Sequence, residues 1–266
     1  MVNKAAYEKL VNEDCKKYHL DKGEESDLFE WCPDCREINL WTYWQGKDAK
    51  DVKIMVVGQD WGNYHLPKNT QTMENIREHR NYFCNQDTEN STVYQTDKSL
   101  CVLFESIGYK DIINNRYDDL FFTNFFLKYR AEGCKETGGM SRTNMMRDAA
   151  SFSALVDAIR PKVIICLGML TYECVIDALR PGEKCRIGKI TDYCDLIDNH
   201  KNYTDIAGVR VFGMVHCGAS GVNVNRKKGT RTDKNKKGIE LMIQDWKEIK
   251  KYLEDKDIFL NLKPVN

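Results

Sequence analysis

The sequence carries no net charge, 40 Lys and Arg being balanced by 40 Asp and Glu. Nothing in the whole-chain balance therefore announces a nucleic-acid or membrane partner, and an anionic partner has to be met by a local patch. No apolar run approaches the roughly 20 residues that span a bilayer. The opening residues, MVNKAAYEKLVNEDCKKYHL, are charged throughout and lack the apolar core of a secretory signal. There is no internal repeat and no low-complexity tract. Eleven cysteines, an odd number without a secretory signal, argue against a disulfide framework and for reduced thiols, some of them candidates to bind metal. The expected compartment is the cytoplasm. What remains is an ordinary globular composition, 42% hydrophobic and 30% charged, in a chain of 266 residues that suffices for one sizeable domain.

Four apolar, β-branched runs stand out: Asp51–Val57, Asp119–Thr123, Pro161–Leu167 and Gly208–Val215. The first three are near-continuous, as strands buried on both faces of a parallel sheet are; the last alternates, which suits an edge. Helical spacing is found after Thr96 up to Gly108, from Met145 to Ile159, from Thr171 to Leu179, and most clearly from Gly238 to Asp255. Strands separated by helices imply parallel βαβ units. The expected fold is a three-layer α/β/α sandwich on a mostly parallel four-stranded sheet. One domain would span 1–266, with residues 1–45 as an N-terminal extension and a polar loop over about 68–95.

In such sheets ligands bind beyond the carboxyl ends of the strands. The first run ends in Gly58-Gln59-Asp60-Trp61-Gly62, the second in Asn124, the third in Gly168 and the fourth in His216-Cys-Gly-Ala-Ser-Gly221. Taken singly, Asp60 is a turn former, and Asn124 and His216 are structural polar residues. Taken together, a carboxylate, a carboxamide and an imidazole converge on one rim.

These residues also carry a family resemblance. Val56-Val-Gly-Gln-Asp-Trp-Gly62 resembles the first motif of the uracil-DNA glycosylase superfamily, and Phe121-Phe-Thr-Asn124 resembles the strand that delivers its base-reading Asn. Arg160–Gly168 is similar to its third-strand segment, and Val211–His216 to its second catalytic motif. The four matches come in order across residues 52 to 226. The resemblance implies an enzyme that extrudes a nucleotide from DNA and hydrolyses its N-glycosidic bond. Asp60 would orient water and offset positive charge on the sugar, and His216 would donate to the departing base at O2. Backbone N–H groups of Gly58, Gln59 and Asp60 would add to that oxyanion site, and Asn124 would read the N3–H and O4 edge. An aromatic floor is expected at Phe83, with Tyr64, Tyr82 and Tyr94 as alternatives. Trp61-Gly62 stands where the uracil-selective enzymes have Pro-Tyr, and loss of that Tyr points to a mismatched or damaged base beside uracil. The His-Pro-Ser-Pro pattern is here His216-Cys217-Gly218-Ala219, with Ser220 the nearest serine.

Downstream of His216, residues 226–237 hold seven basic residues against one acidic. They offer a phosphate grip from Ser220, Asn223, Arg226, Lys227, Lys228 and Arg231, against the plainer reading of a solvated loop. Val222 or Val224 is positioned to wedge into the stack. Cys32-Pro-Asp-Cys35 sits where the iron–sulfur branch of the superfamily has its first two ligands. That branch's other positions hold Tyr129 and Asp148, so the four-cysteine cluster is incomplete. A structural zinc site using Cys32, Cys35 and some of Cys15, Cys84 or Cys134, a remnant iron–sulfur site at the pair, and a structural turn are the remaining readings. Cys101, Cys166 and Cys174 lie in apolar patterns and are expected in the core. The leading expectation is a monomeric glycosylase that needs no cofactor for its chemistry and acts on DNA, not on membranes. The rivals are a non-catalytic nucleic-acid-binding module of the same fold and an unrelated nucleotide-binding α/β protein.

Overall fold

A computed structural model describes residues 1–10, 46, 49–60, 95–127 and 140–265, together with the backbone at 29–30 and 129–130. In chain order the strands are β1 (Phe29–Glu30), β2 (Ile54–Gly58), β3 (Leu120–Asn124), β4 (Tyr129–Arg130), β5 (Val163–Leu167), β6 (Tyr203–Ile206) and β7 (Val209–Met214). The helices are α1 (Lys4–Lys9), α2 (Gln95–Ile107), α3 (Arg142–Met145), α4 (Ala149–Ile159), α5 (Met169–Leu179), α6 (Ile190–Asp198), α7 (Ala219–Asn223) and α8 (Gly238–Asp255). Strands β1 and β4 form a small antiparallel pair.

The main sheet has the order β3-β2-β5-β7-β6, with the first four strands parallel and β6 antiparallel to β7. The sheet therefore has five strands where the hydrophobic runs indicate four. The additional strand, Tyr-Thr-Asp-Ile, is short, polar and half-exposed, so it leaves no apolar run to read. It joins β7 through Ala207 and Gly208, both at positive φ (47° and 84°), the backbone of a tight primed hairpin turn. Strand β7 thus lies inside the sheet, and β6 takes the edge position expected for it.

Every residue of β2, β3 and β5 is buried, which accounts for their continuous apolar sequence. Side chains of successive strand residues leave on opposite faces. Phe121 meets Tyr7 of α1 edge-on at 6.2 Å, while its neighbour Phe122 meets Phe104 of α2 at 5.4 Å. Trp246 of α8 packs on the same Phe104 at 5.0 Å. On β7, Phe212 faces Tyr252 of α8, whereas a side chain at Gly213 would strike Tyr172 of α5 and Tyr193 of α6. Helices consequently cover both faces of this α/β sheet. Each large apolar side chain so enclosed stabilises the fold by roughly 1.5–3 kcal/mol.

Helix boundaries follow local chemistry with one exception. Helix α2 ends at Gly108, whose φ of 114° a side chain would resist, and α8 spans the segment its apolar stripe marks. The Met145–Ile159 pattern is interrupted by a 3-10 turn at Met146–Asp148. There the fully buried Asp148 carboxylate accepts the Leu127 N–H at 2.8 Å, a tertiary demand that spacing does not reveal. Residues 1–10 belong to the packed body: Val2 and Asn3 N–H groups bond Lys50 and Ala158 carbonyls, and Leu10 is buried. No described helix is long and apolar enough to cross a membrane.

At the amino ends of the strands, Asp119 is 2% exposed. Its Oδ2 accepts the Tyr109 hydroxyl (2.8 Å) and the Asn261 N–H (2.6 Å), while Oδ1 has no partner among the described residues. Burial pushes its carboxyl up to about 6, against the pull of those two donors. A carboxyl raised in the native state favours folding while protonated. Its contribution is whole below the unfolded value of 3.8 and is lost as pH rises through 6. Asp119→Asn should therefore flatten the pH dependence of urea unfolding, removing an on-the-order-of 2–3 kcal/mol decline between about pH 4 and 7. Identical pH dependence in the two proteins would show that Asp119 carries no ionisation penalty.

Candidate functional site

Parallel pairing sets the site. In the β2–β3 register Gly58 lies opposite Asn124, and the pairing continues past the strands through Phe125 N–H to Gly58 O (2.9 Å) and Phe126 N–H to Gln59 O (3.0 Å). The Gly58-Gln59-Asp60 turn is thereby pinned beside Asn124. Two strands across, β7 runs out into His216, and Gly168 closes β5 by donating its N–H to Met214 O at 2.7 Å. Gly168 adopts φ 108°, and a Cβ there would lie 3.8 Å from that of His216. All four strand ends named from the sequence therefore meet at one rim.

Asp60 is half-buried and accepts the Gln59 side-chain N–H on Oδ2 at 2.9 Å, which orients its carboxylate. His216 is also half-buried. Burial holds its imidazole below the usual 6.5, while the negative charge of Asp60 pulls the other way. The His216 Nδ1 accepts the Gly218 N–H at 3.0 Å. A neutral imidazole whose Nδ1 is an acceptor carries its proton on Nε2, so His216 presents a fixed Nε2–H donor.

Asn124 differs from these two. Its side chain is 0% exposed, and neither Oδ1 nor Nδ2 has a hydrogen-bond partner among the described residues. Each unmatched amide group costs about 1–3 kcal/mol, an expense that native proteins rarely carry without cause. The carboxamide is enclosed rather than open to the rim.

Two contributors are invisible at the level of residue type. The Gly218 N–H belongs to the backbone. Thr96 marks a helix start in the sequence, yet the first turn of α2 reaches the rim: Cys217 Sγ contacts Thr96 O at 3.8 Å, and a Cβ on Gly218 would lie 3.3 Å from Thr96 Oγ1. The only signal available for Thr96 is its position as the first polar residue of an apolar-periodic stretch.

The expected DNA-contact residues divide. Ser220, Asn223, Lys228 and Arg231 are exposed and Lys227 is half-exposed. Arg226 is a correction: it is 3% exposed and ion-paired with Asp245 at 2.6 Å and Asp198 at 2.8 Å, so its guanidinium is withheld from solvent. Val222 is buried, whereas Val224 stands 53% exposed at the end of α7. Trp61, Gly62, Tyr64, Phe83 and the alternative aromatics Tyr82 and Tyr94 lie outside the described residues, as do Cys15, Cys32, Cys35, Cys84 and Cys134. Cys166 and Cys174 are fully buried and Cys101 partly so. Burial pushes the Cys174 thiol up to about 12 and that of Cys166 well above its ordinary range, as suits small core residues. Among the described residues no three His, Cys, Asp or Glu side chains are grouped to hold a metal.

A separate cleft of about 210 Å³ runs along β6, β7 and α8. The Arg210 guanidinium lies 4.0 Å over both the Tyr203 and Tyr252 rings there, while paired in bidentate fashion with Asp205. Its aromatic faces are thus already engaged within the chain. In comparison with known proteins, the chain matches no protein-family model and no curated sequence.

His216 should titrate below 6.5, and Asp60→Asn should lower it further, because the imidazolium loses its anionic neighbour. Ring-proton NMR against pH measures this directly. An unchanged or higher value in Asp60→Asn would separate the two groups.

Proposed function

We propose that the protein is a DNA glycosylase with a uracil-DNA glycosylase-like fold. It hydrolyses the N-glycosidic bond of uracil, or of a related deaminated or mismatched base, in DNA. The observation that carries this reading is an oriented carboxylate and a neutral Nε2–H donor at the rim, with the enclosed, unmatched carboxamide of Asn124 paired opposite Gly58 on the adjoining strand. The ordered motifs from Val56 to His216, which contain these same three residues, also support it.

The chemistry needs two opposite charges handled at once. As the C1′–N bond breaks, its electron pair leaves with the base and positive character grows on the sugar. Asp60 offsets the sugar's charge and orients the attacking water, whose proton passes to the carboxylate as the C1′–O bond forms and ends on the released base anion. His216 Nε2–H donates to the anion developing on the base, and being neutral it stabilises that charge by a hydrogen bond rather than by handing over a proton. The carboxamide of Asn124 offers one acceptor and one donor, the complement of an N3–H beside an O4. A base would satisfy both ends and so relieve the cost that the empty-handed amide carries. Because Asn124 is enclosed, base entry requires the side chains over it to part. Asp60 and His216 are in contact with substrate in this scheme and are its catalytic residues; Gln59 and Gly218 position them.

Single-turnover excision assays on duplexes with uracil opposite adenine or guanine, and on mismatched duplexes, test the reading. Asp60→Asn and His216→Leu should each slow base release by roughly 10²–10³-fold, with binding to undamaged DNA unchanged. No abasic product from any of these substrates with the unaltered protein at micromolar concentration would remove the enzymatic claim.

A further inference from the structure

The densest run of cations in the chain is folded back on itself. The Arg226 guanidinium donates to Asp245 (2.6 and 2.8 Å) and to Thr232 Oγ1 (3.1 Å), and Thr232 Oγ1 in turn donates to Asp198 at 2.6 Å. The Thr230 N–H and hydroxyl both donate to Asp195, at 2.6 and 2.7 Å. Arg231 donates to the Asn199 side chain, and the Lys234 ammonium to the Lys227 and Gly229 carbonyls. Asp195, Asp198 and Asn199, three and four positions apart, form one face of α6 and its end, and that face receives the inner side of the loop. Gly229 is held so closely that a Cβ there would come within 2.5 Å of Asp198 Oδ2. The segment is therefore shaped before any ligand arrives.

The same piece of chain is locked to the catalytic rim. A Cβ at Gly221 would lie 1.5 Å from His216 O, and one at Gly238 would lie 1.6 Å from Val222 O. Helix α7 is thus wedged between the His216 carbonyl and the start of α8. Lys236 and Lys237 immediately precede that second contact, and Lys227 and Lys228 lie in the 3-10 turn Asn225–Lys228 just after α7. Among the described residues these four lysines form no ion pair and donate no side-chain hydrogen bond, whereas Arg226 is neutralised by two carboxylates and the Arg231 and Lys234 side chains are held by hydrogen bonds to Asn199 and to loop carbonyls.

We infer that residues 220–237 form a preformed cationic platform for the sugar–phosphate backbone of duplex DNA, with Lys227, Lys228, Lys236 and Lys237 making the phosphate contacts. The choice of DNA as the polyanion rests on the glycosylase reading. Arg226 shapes the platform without touching phosphate, and Arg231 and Lys234 serve its internal bonds. Of the seven cations counted in this stretch, only those four release counterions on binding.

Counterion release makes the count measurable, since log K falls with log salt at about −0.9 per neutralised phosphate. Fluorescence anisotropy with a labelled, undamaged duplex between about 50 and 200 mM salt should give a slope of roughly −3.6 for the unaltered protein. Changing Lys227, Lys228, Lys236 and Lys237 together to Gln should bring the slope close to zero and weaken binding more than tenfold at low salt. Arg231→Gln and Lys234→Gln should each leave the slope within experimental error. An undiminished slope in the fourfold variant, or an equal loss of slope in Arg231→Gln or Lys234→Gln, would overturn the inference. So would an unaltered protein with no affinity for the duplex at low salt. Failure of the glycosylase reading looks different: no abasic product, with the salt slope and its dependence on the four lysines intact.

Discussion

Parallel hydrogen bonding among β3, β2, β5 and β7 is the constraint on which the rest depends. Strands that run the same way must finish at the same edge, and the register here leaves no freedom about which residues finish there. Gly58 faces Asn124, and the ladder carries on through Phe125 and Phe126, so the turn bearing Asp60 is an extension of the sheet rather than a loose loop. The groups at the rim are polar and two of them are partly desolvated. Such an arrangement persists because the buried strands beneath it supply far more stabilisation than the rim gives up.

Burial also explains why the rim has an electronic character that composition alone does not supply. An imidazole in water exchanges freely between two tautomers and a cation. Next to the Gly218 N–H and withdrawn from solvent, His216 is biased toward its neutral form, with Nδ1 accepting and Nε2–H left as the donor. Asp60 is similarly restricted in direction by Gln59. Geometry and protonation are thus fixed by the same few bonds.

Much of this was legible in the sequence, for identifiable reasons. Continuous β-branched runs can only be strands covered on both faces, and the residues after them fall at the ligand-bearing edge of any parallel sheet. That logic put Asp60, Asn124, Gly168 and His216 at the carboxyl ends of the strands, where the register has them, but does not reveal that Asn124 is enclosed. It does not reach β6, whose Tyr-Thr-Asp-Ile sequence has neither length nor apolarity, or the break at Met146–Asp148, which answers to a backbone N–H from another element. Nor does it reach Arg226. Counting charges along a segment treats every cation as free, whereas the partners that neutralise this one are supplied by α6 and α8. Charge in sequence and charge at a surface diverge wherever the fold brings in counter-ions from elsewhere.

The two close backbone contacts at Gly221 and Gly238 have a bearing on how mutational data for this protein should be read. Neither glycine has a side chain to meet a ligand, yet no other residue fits at either place without displacing a carbonyl oxygen. A saturation screen scored on the yield of folded protein would mark both positions as intolerant. Their intolerance would reflect the space between main chains and would carry no information about ligands or chemistry.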